Sequence, residues 1–215
     1  MSKYTHIASD LVSFQLTHFY LYSDNRDTFA PFRMPRRILG RHFSLTKTGY
    51  KYLSIGIGLN LPSRVEIALG DMQSREIVLT FKIWKNILDI RDVIFRFFDR
   101  NEEGVDTPKP IRFDYLTLRF STLNNLRVLR MEAGLQRLAM TRNTVRNMFA
   151  MEFSVNHIFQ SLNKVTTIVD AKFSRFLAIV GDTKDPAIAQ TTLRDNPSFD
   201  KDDRIDGELF AQMFI

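Results

Sequence analysis

The chain reads KYLSIGIGL from residue 51 to residue 59, with apolar side chains at every second position. A period of two is the pattern of a β-strand that buries one face, so Leu53, Ile55 and Ile57 are expected to point into a core. The same reasoning predicts three companion strands over residues 43–47, 64–69 and 75–80. Glycine, asparagine and proline residues separate these segments, as turns require.

From residue 81 to residue 98 the apolar period lengthens. Spacings of three and four residues predict one helix with a buried face, formed by Trp84, Ile87, Leu88, Ile94, Phe97 and Phe98. Residues 42–100 therefore form a unit of four strands followed by a helix.

Sliding the sequence against itself by 61 residues superposes this pattern on residues 103–163. Ile55 meets Leu116 and Trp84 meets Val145, whereas Val65 and Ile67 are paired with Leu126 and Val128 as inward positions. Few residues are identical, so the matched pattern carries the inference. It predicts an α+β fold of two antiparallel four-stranded sheets, each followed by a helix, sharing one pseudo-twofold core.

Three regions flank or close this duplicated domain. Residues 1–41 form an arm with a basic segment, in which residues 13–22 fit either a strand or a short helix. The duplicated domain is assigned to residues 42–180. Its closing segment is 164–180, in which residues 165–180 also fit either a strand or a helix. In the remaining tail, 181–215, proline and asparagine predict an extended linker up to residue 200, followed by one apolar helical stripe that ends at the C-terminus.

Composition narrows the function classes. The 215 residues include 44% apolar side chains and no cysteine, so a packed core is expected without disulfides, thiol nucleophiles or thiolate metal sites. No uncharged apolar run reaches 18 residues, and the opening sequence lacks the features of a signal or transit peptide. We expect no membrane partner and a nuclear or cytoplasmic location.

Charge is distributed unevenly along the chain. The net charge is +6, and residues 182–215 carry eight acids and four bases, or −4, which leaves +10 on the preceding residues. Such a body favours anionic partners. The tail has two interpretations: a helix docked on its own body, or a segment that competes with an acidic ligand or recruits a protein partner.

Two short segments resemble families of known fold. Residues 43–50, FSLTKTGY, resemble the Phe-x-Leu-Ser-Arg-x-Gly-aromatic segment of the Whirly family, and residues 77–87, with Thr80, Trp84 and Ile87, are similar to the strand-to-helix junction of positive-cofactor-four-type coactivators. The likeness covers about residues 40–162. It implies the duplicated fold and single-stranded DNA as ligand class. The Lys-Gly-Lys-Ala-Ala-Leu signature of plant Whirly proteins is absent, so their transcription role and organellar address are not implied.

Strand parity predicts an exposed binding face. If Leu53 points inward, then the outward residues are Tyr52, Ser54, Gly56 and Gly58, and in the second copy Phe113, Tyr115, Thr117 and Arg119. Aromatic rings provide stacking platforms for bases, and arginine and lysine attract phosphates. We expect bases on Tyr50, Tyr52, Phe113 and Tyr115. We expect phosphates on Lys47, Lys51, Arg64, Arg119, Arg127 and Arg137, and on the basic segment of Arg33, Arg36, Arg37 and Arg41. The alternatives are a solvated basic loop and aromatic rings covered by other segments.

Signatures of catalysis are missing from the sequence. The Gly56-Ile57-Gly58 run lies within a strand, no phosphate-binding loop is present, and the four histidines show no metal spacing. The sequence thus predicts a protein without enzyme activity, cofactor or metal that binds single-stranded DNA or RNA, in transcription, replication or genome maintenance, and forms a homo-oligomer. The alternatives are a viral or cellular structural nucleoprotein and a transcription adaptor that binds a protein through its C-terminal tip.

Overall fold

The computed structural model describes residues 37–99 and 107–214, which form two four-stranded antiparallel sheets and seven helices. The first sheet holds, in spatial order, β1 (Arg37–Ser44), β2 (Lys51–Gly58), β3 (Arg64–Asp71) and β4 (Glu76–Leu79). The second sheet holds β5 (Ile111–Phe113), β6 (Leu116–Leu123), β7 (Leu126–Ala133) and β8 (Gln136–Thr141). The predicted fold class is confirmed.

Each sheet is followed by two helices where the sequence predicted one. The first pair is α1 (Phe81–Asp89) and α2 (Arg91–Asp99), and the second pair is α3 (Arg142–Ala150) and α4 (Glu152–Asn163). The predicted helix over 81–98 breaks at Ile90, whose N–H bonds to the Leu88 carbonyl and ends α1. The apolar pattern runs through the break because Ile94 and Phe97 of α2 are buried as well, so periodicity alone did not reveal it.

A threonine begins the first helix of each pair. Thr80 is extended, and its hydroxyl accepts the Ile83 N–H at 3.3 Å, which satisfies one of the free amides of α1. Thr141 occupies the same position before α3, but its hydroxyl lies 3.1 Å from that of Thr144. These two residues stand 61 apart in the sequence, so the duplicated pattern extends to the strand-to-helix junction.

The chain divides into two compact units. The sheet unit comprises Gly40–Ile57 and Val65–Lys164; the helical unit comprises Gly58–Arg64 and Val165–Ile215 together with residues 37–39. Within the sheet unit, α3 packs on β7 and β8, α2 packs on β7, and β4 lies beside β8.

The core of the sheet unit is built as the alternation predicts. Leu53, Ile55 and Ile57 are fully buried in the first sheet, and Leu116 and Leu118 are fully buried in the second.

The tail is folded, in contrast to the linker expected from sequence. The helical unit contains α5 (Thr166–Val180), α6 (Pro186–Arg194) and α7 (Arg204–Phe214). Helix α6 falls in the predicted linker: Asp185 caps it by accepting the Ala187 N–H at 2.8 Å, and Pro186 occupies its first turn. The proline that suggested a linker therefore begins a helix. Residues 166–180 are helical, and the predicted apolar stripe lies on α7, where Leu209 is fully buried.

The outer side of the first sheet is closed by Tyr52. Its side chain on β2 is 1% exposed, and its ring lies over Gly70 of β3. A Cβ atom at Gly70 would lie 2.8 Å from Tyr52 Cε2 and nearer still to Cζ and the hydroxyl. Glycine is thus required at this position by the ring above it, a packing in which a large side chain covers a strand glycine.

We expect Gly70→Ala to destabilise the protein by about 1 to 3 kcal/mol, because the added methyl overlaps the buried Tyr52 ring, which must shift to admit it. The free energy of unfolding is measured by urea titration. The matched control is Gly207→Ala in α7, where an added Cβ meets nothing within 4 Å; removing a helix glycine is expected to stabilise by about 0.5 to 1 kcal/mol. A Gly70→Ala variant as stable as the wild type would contradict the packing.

Candidate nucleic-acid interface

The outer face of the second sheet presents four arginines, one from each strand. Strand pairing aligns Arg112, Thr117, Glu132 and Arg137 in one row across β5, β6, β7 and β8, and it places Arg119 directly opposite Arg130 in the next row. Arg112 and Arg137 are exposed, and the side chains of Arg119 and Arg130 are 43% and 39% exposed. We name this set, with Glu132, the arginine face.

Glu132 is the single acidic residue among the strand residues on this face, all of which the structure describes. Arg119 Nε donates to its Oε2 at 2.7 Å, and Arg130 Nη2 donates to its Oε1 at 2.9 Å. The hydrogen bond from Arg119 holds the pKa of Glu132 below its ordinary value, and the charges of Arg130 and Arg137 lower it further. The carboxylate is therefore ionised at neutral pH, and four guanidinium groups and one carboxylate leave the face at +3.

Sequence reasoning found half of the arginine face. Arg119 and Arg137 were predicted there, whereas Arg112 and Arg130 were missed. The offset of 61 residues fails at β7: Ile67 pairs with Leu79 in the first sheet, and the residue that pairs with the equivalent Met140 is Leu129, an offset of 62. A shift of one residue moves every side chain of a strand to the other face.

The same shift explains why the predicted outward position of Arg127 is wrong. Arg127 points to the inner side of β7, where its Nη1 donates to the Phe97 carbonyl at 2.8 Å and its guanidinium lies 5.7 Å from the Phe97 ring centre. Its hydrogen bond and ring contact join β7 to α2. Arg127 is thus a packing residue of the sheet unit and does not belong to the arginine face.

The asparagine pair before β7 is the sequence signal that gives the correct register. Asn124 and Asn125 both have positive φ, of 49° and 60°, and form a two-residue turn that pairs Leu123 with Leu126. Asparagine tolerates this conformation, and two-residue turns of this kind are typical of β-hairpins. Counting back from the turn places Arg119 opposite Arg130 without any reference to the repeat.

The predicted open face of the first sheet is closed. Tyr52, Ser54, Gly56 and Gly58 are all buried, as is the opposite side of β2. The Tyr52 hydroxyl donates to Glu76 at 3.3 Å, and its ring lies 4.7 Å from that of His42. The expectation that Tyr52 offers an exposed stacking surface is therefore wrong: parity places a residue on one side of a strand but does not show what covers that side.

Phe113 and Tyr115 do not share the outer face with Arg119. Phe113 pairs with Leu116, which places it on the inner side of the sheet, and Tyr115 lies in the turn between β5 and β6. Tyr115 is 48% exposed, but its hydroxyl donates to the Val78 carbonyl at 2.8 Å and accepts the Thr80 N–H at 3.3 Å. Burial raises the pKa of this phenol, so it remains protonated and holds the turn to the end of β4.

Tyr50, Lys51 and Lys47 lie together around the turn that joins β1 and β2. Lys47 is exposed, Tyr50 is 36% exposed, and Lys51 Nζ lies 5.3 Å from the centre of the Tyr50 ring. Arg75, which the sequence did not suggest, donates to the Tyr50 hydroxyl at 3.3 Å. This group, with Asp71, is named the Tyr50 cluster.

Asp71 is the buried anchor of the Tyr50 cluster. Its side chain is 0% exposed and accepts from Arg75 Nη2 at 2.7 Å, Lys51 Nζ at 3.5 Å and the Gln73 N–H at 3.0 Å. Burial by itself raises the pKa of Asp71, but the hydrogen bonds from Arg75 and Gln73 outweigh it and the pKa lies below the ordinary value. Burial lowers the pKa of Lys51 despite its pairing with Asp71.

The predicted phosphate contacts also include Arg33, Arg36, Arg37, Arg41 and Arg64. Arg33 and Arg36 lie outside the described residues. Arg37 begins β1 and is half-buried, Arg41 is exposed on β1 with Nη1 bonded to the Gly40 carbonyl at 3.0 Å, and Arg64 is exposed at the first position of β3.

Neither a metal site nor a membrane-spanning helix is found within residues 37–99 and 107–214. These ranges hold no group of three histidine or acidic side chains suited to a metal ion, and none of their helices has the length and hydropathy needed to cross a bilayer. The sequence matches no protein-family model and no curated protein.

We expect Asp71→Asn to destabilise the protein by about 2 to 3 kcal/mol at pH 7, because it leaves two cations around a buried neutral amide. The folded-state pKa of Asp71 is depressed, so its contribution is complete above the unfolded-state value of about 4 and is lost as the pH falls through the folded value. The difference between wild type and variant should therefore shrink below pH 4.

Urea titrations at several pH values between 7 and 3 measure this difference. Asp89→Asn, at the exposed end of α1, is the control and should change stability by less than about 0.5 kcal/mol. A deficit of Asp71→Asn that stays constant down to pH 3 would show that the carboxylate charge is not what stabilises the cluster.

Proposed function

We propose that the protein binds single-stranded DNA or RNA through the arginine face and that it performs no chemistry on the strand. The observation that supports this most directly is the convergence of Arg112, Arg119, Arg130 and Arg137 on one open side of a sheet. Arginine forms two-point hydrogen bonds to phosphate oxygens and is less strongly hydrated than lysine, which suits it to phosphate recognition.

The dimensions of the arginine face fit an extended anion better than a single one. Arg112 and Arg137 stand three strand spacings apart, about 14 Å. The second row, with Arg119 and Arg130, lies two residues further along the strands, about 7 Å away. One phosphate does not span such a distance, whereas successive phosphates of a polynucleotide do. Contacts of this kind carry no base sequence, so we propose binding with little sequence preference.

An unpaired strand is the form that we propose, because the Tyr50 cluster, on the same sheet unit as the arginine face, combines a partly exposed ring with positive charge. Tyr50 is partly exposed beside Lys51 and Arg75. Bases that are not paired stack on such rings, and every base has a face that can stack. Duplex DNA buries its bases and would gain only the phosphate contacts. A nuclear or cytoplasmic location, where single strands of nucleic acid arise, is part of this proposal.

A second candidate function is a structural nucleoprotein that assembles with copies of itself. It is favoured by two large apolar side chains exposed side by side at the β6–β7 turn: Leu123 is 57% exposed, and Leu126, which pairs with it, is 62% exposed. Exposed apolar groups of this size are typical of contact surfaces between proteins. Sedimentation without nucleic acid distinguishes the candidates, since large assemblies formed by the protein alone favour the structural role.

The acidic tail gives little support to the idea of a competing or recruiting segment. Asp203 and Asp206 pair with Lys172 at 3.1 and 2.7 Å, and Asp185 caps α6. Glu208 accepts from the Leu39 N–H and from Arg204. These carboxylates are engaged within the helical unit, so we propose that the tail is a packed part of the fold.

We expect the double variant Arg119→Ala, Arg130→Ala to bind a labelled single-stranded oligonucleotide about tenfold or more weakly at about 0.1 M salt. The slope of log affinity against log salt should fall by about 2, since each lost phosphate contact releases one counterion fewer. Fluorescence anisotropy measures both quantities. Arg146→Ala, an exposed cation on α3, removes charge away from the face and should change both much less. Wild-type affinity that does not vary between about 50 and 200 mM salt would refute phosphate binding.

We expect Tyr50→Ala to weaken single-strand binding by about 1 to 3 kcal/mol while leaving the salt slope unchanged, because a stacking ring is lost and no charge is removed. Tyr50→Phe keeps the ring and loses only the hydroxyl that Arg75 contacts, so it should bind nearly as the wild type does. Equal losses in both variants would show that the hydroxyl, and not stacking, is what matters.

A further inference from the structure

We infer that Glu132 is a positioning residue, whose carboxylate holds Arg119 and Arg130 together as one phosphate site. The inference rests on the proposed function. Its consequence runs against simple electrostatics: removing the negative charge of Glu132 should weaken the binding of an anion.

Arg119, Arg130 and Glu132 form one hydrogen-bonded group on the outer face. Arg119 and Arg130 are directly opposite each other on neighbouring strands, and like charges in that arrangement repel. Glu132 lies two residues along β7 from Arg130 and gives one oxygen to each arginine, at 2.7 and 2.9 Å. The carboxylate therefore keeps two guanidinium groups close together that would otherwise separate.

The Glu132 side chain is less exposed to solvent than the two arginines that it contacts. The Glu132 side chain is 17% exposed, whereas those of Arg119 and Arg130 are 43% and 39% exposed. Glu132 thus lies against the sheet, with the guanidinium groups further out. A phosphate that arrives from solvent meets the arginines first.

Each arginine keeps N–H donors that do not bond to Glu132. Arg119 uses Nε for the carboxylate and Arg130 uses one Nη2 hydrogen bond, while a guanidinium has five N–H donors. Both terminal nitrogens of Arg119 remain available for a two-point contact with phosphate oxygens. The hydrogen bonds to Glu132 therefore orient the donors without consuming them.

Glu132 repels a phosphate but also orders two arginines, and the sizes of these two effects decide whether its removal weakens or strengthens binding. Repulsion between a carboxylate and a phosphate about 7 Å apart changes the affinity by about threefold where water separates the two charges, as it does on an open sheet face, and salt reduces it further. Ordering one long side chain on binding costs between about twofold and tenfold in affinity, and two arginines are held here. The loss of positioning should therefore exceed the gain in charge.

The experiment compares two variants of equal net charge in the full chain. Glu132→Gln removes the positioning carboxylate. Asp114→Asn removes a carboxylate from the turn between β5 and β6, where Asp114 is exposed, 4.0 Å from Lys82, and has a φ of 50° that asparagine also adopts. The probe is a fluorescein-labelled oligothymidylate of about 30 nucleotides, a single strand long enough to cross the face, and the measurement is fluorescence anisotropy at fixed salt.

We expect Glu132→Gln to bind about three- to tenfold more weakly than the wild type and Asp114→Asn to bind equally or up to about threefold more tightly. Glu132→Asp keeps the charge but shortens the side chain, so it should also bind more weakly, and it serves as the test if the glutamine variant does not fold. The Arg119 Nε–H signal in nitrogen-15 NMR spectra should be protected in the wild type and lost in Glu132→Gln.

Two results would overturn the inference. Glu132→Gln that binds as tightly as Asp114→Asn, or more tightly, would make Glu132 a competitor of the phosphate or a bystander. Glu132→Asp that binds as the wild type does would show that only the charge matters. In both cases the proposed function stands if the wild type binds and the Arg119→Ala, Arg130→Ala variant does not. A wild type that fails to bind the oligonucleotide refutes the function and this inference together.

Discussion

Side-chain alternation, counted from the two-residue turn at Asn124 and Asn125, is the constraint on which the candidate site depends. The turn pairs Leu123 with Leu126, and every later pair in the β6–β7 hairpin follows from it, including Arg119 with Arg130. Because each residue step reverses the side of the sheet, a hairpin loop longer by one residue would move Arg130 to the core and Arg127 to solvent. The positive charge of the outer face is therefore a consequence of turn geometry as much as of composition. Arg127, which the turn places on the inner side, donates to the Phe97 carbonyl and adds no charge to the outer face.

The outer faces of the two sheets differ in charge and in exposure. In the first sheet the outer positions of β3 and β4 carry Glu66 and Glu76, and Tyr52 covers the glycine at position 70. In the second sheet the corresponding side is basic and partly exposed. The two copies repeat their core, in which Trp84 of α1 and Val145 of α3 are both fully buried, but they differ in what lies on their outer faces. One face is then closed by packing while the other remains available to a ligand.

The parts of the fold that follow from the local sequence pattern were predictable. The strand register and the burial of a sheet face by residues distant in sequence were not. Period-two alternation identified the strands around Ile55 and Leu118, and the three- and four-residue period identified the helices that follow Thr80 and Thr141. The helix break at Ile90 was invisible because apolar spacing continues across it. Helix α6 was missed because Pro186 was interpreted as a breaker, although a proline directly after an aspartate is also a helix start. The exposure of Tyr52 was predicted wrongly because a strand sequence does not show whether its outer side is covered. Arg130 was missed because one offset was applied to all four strands, and Arg112 was missed because alternation was counted across the turn between β5 and β6.

Opposed arginines on a sheet are costly to the fold, and this cost is itself an argument about function. A pair such as Arg119 and Arg130 destabilises the hairpin unless an anion lies between the guanidinium groups. Glu132 meets part of that need, as its lowered pKa shows, but one carboxylate serves a face that also carries Arg112 and Arg137. Glu132 alone therefore leaves an excess of positive charge on the arginine face. Under the proposed function, a bound polyanion would offset the remaining repulsion between the arginines.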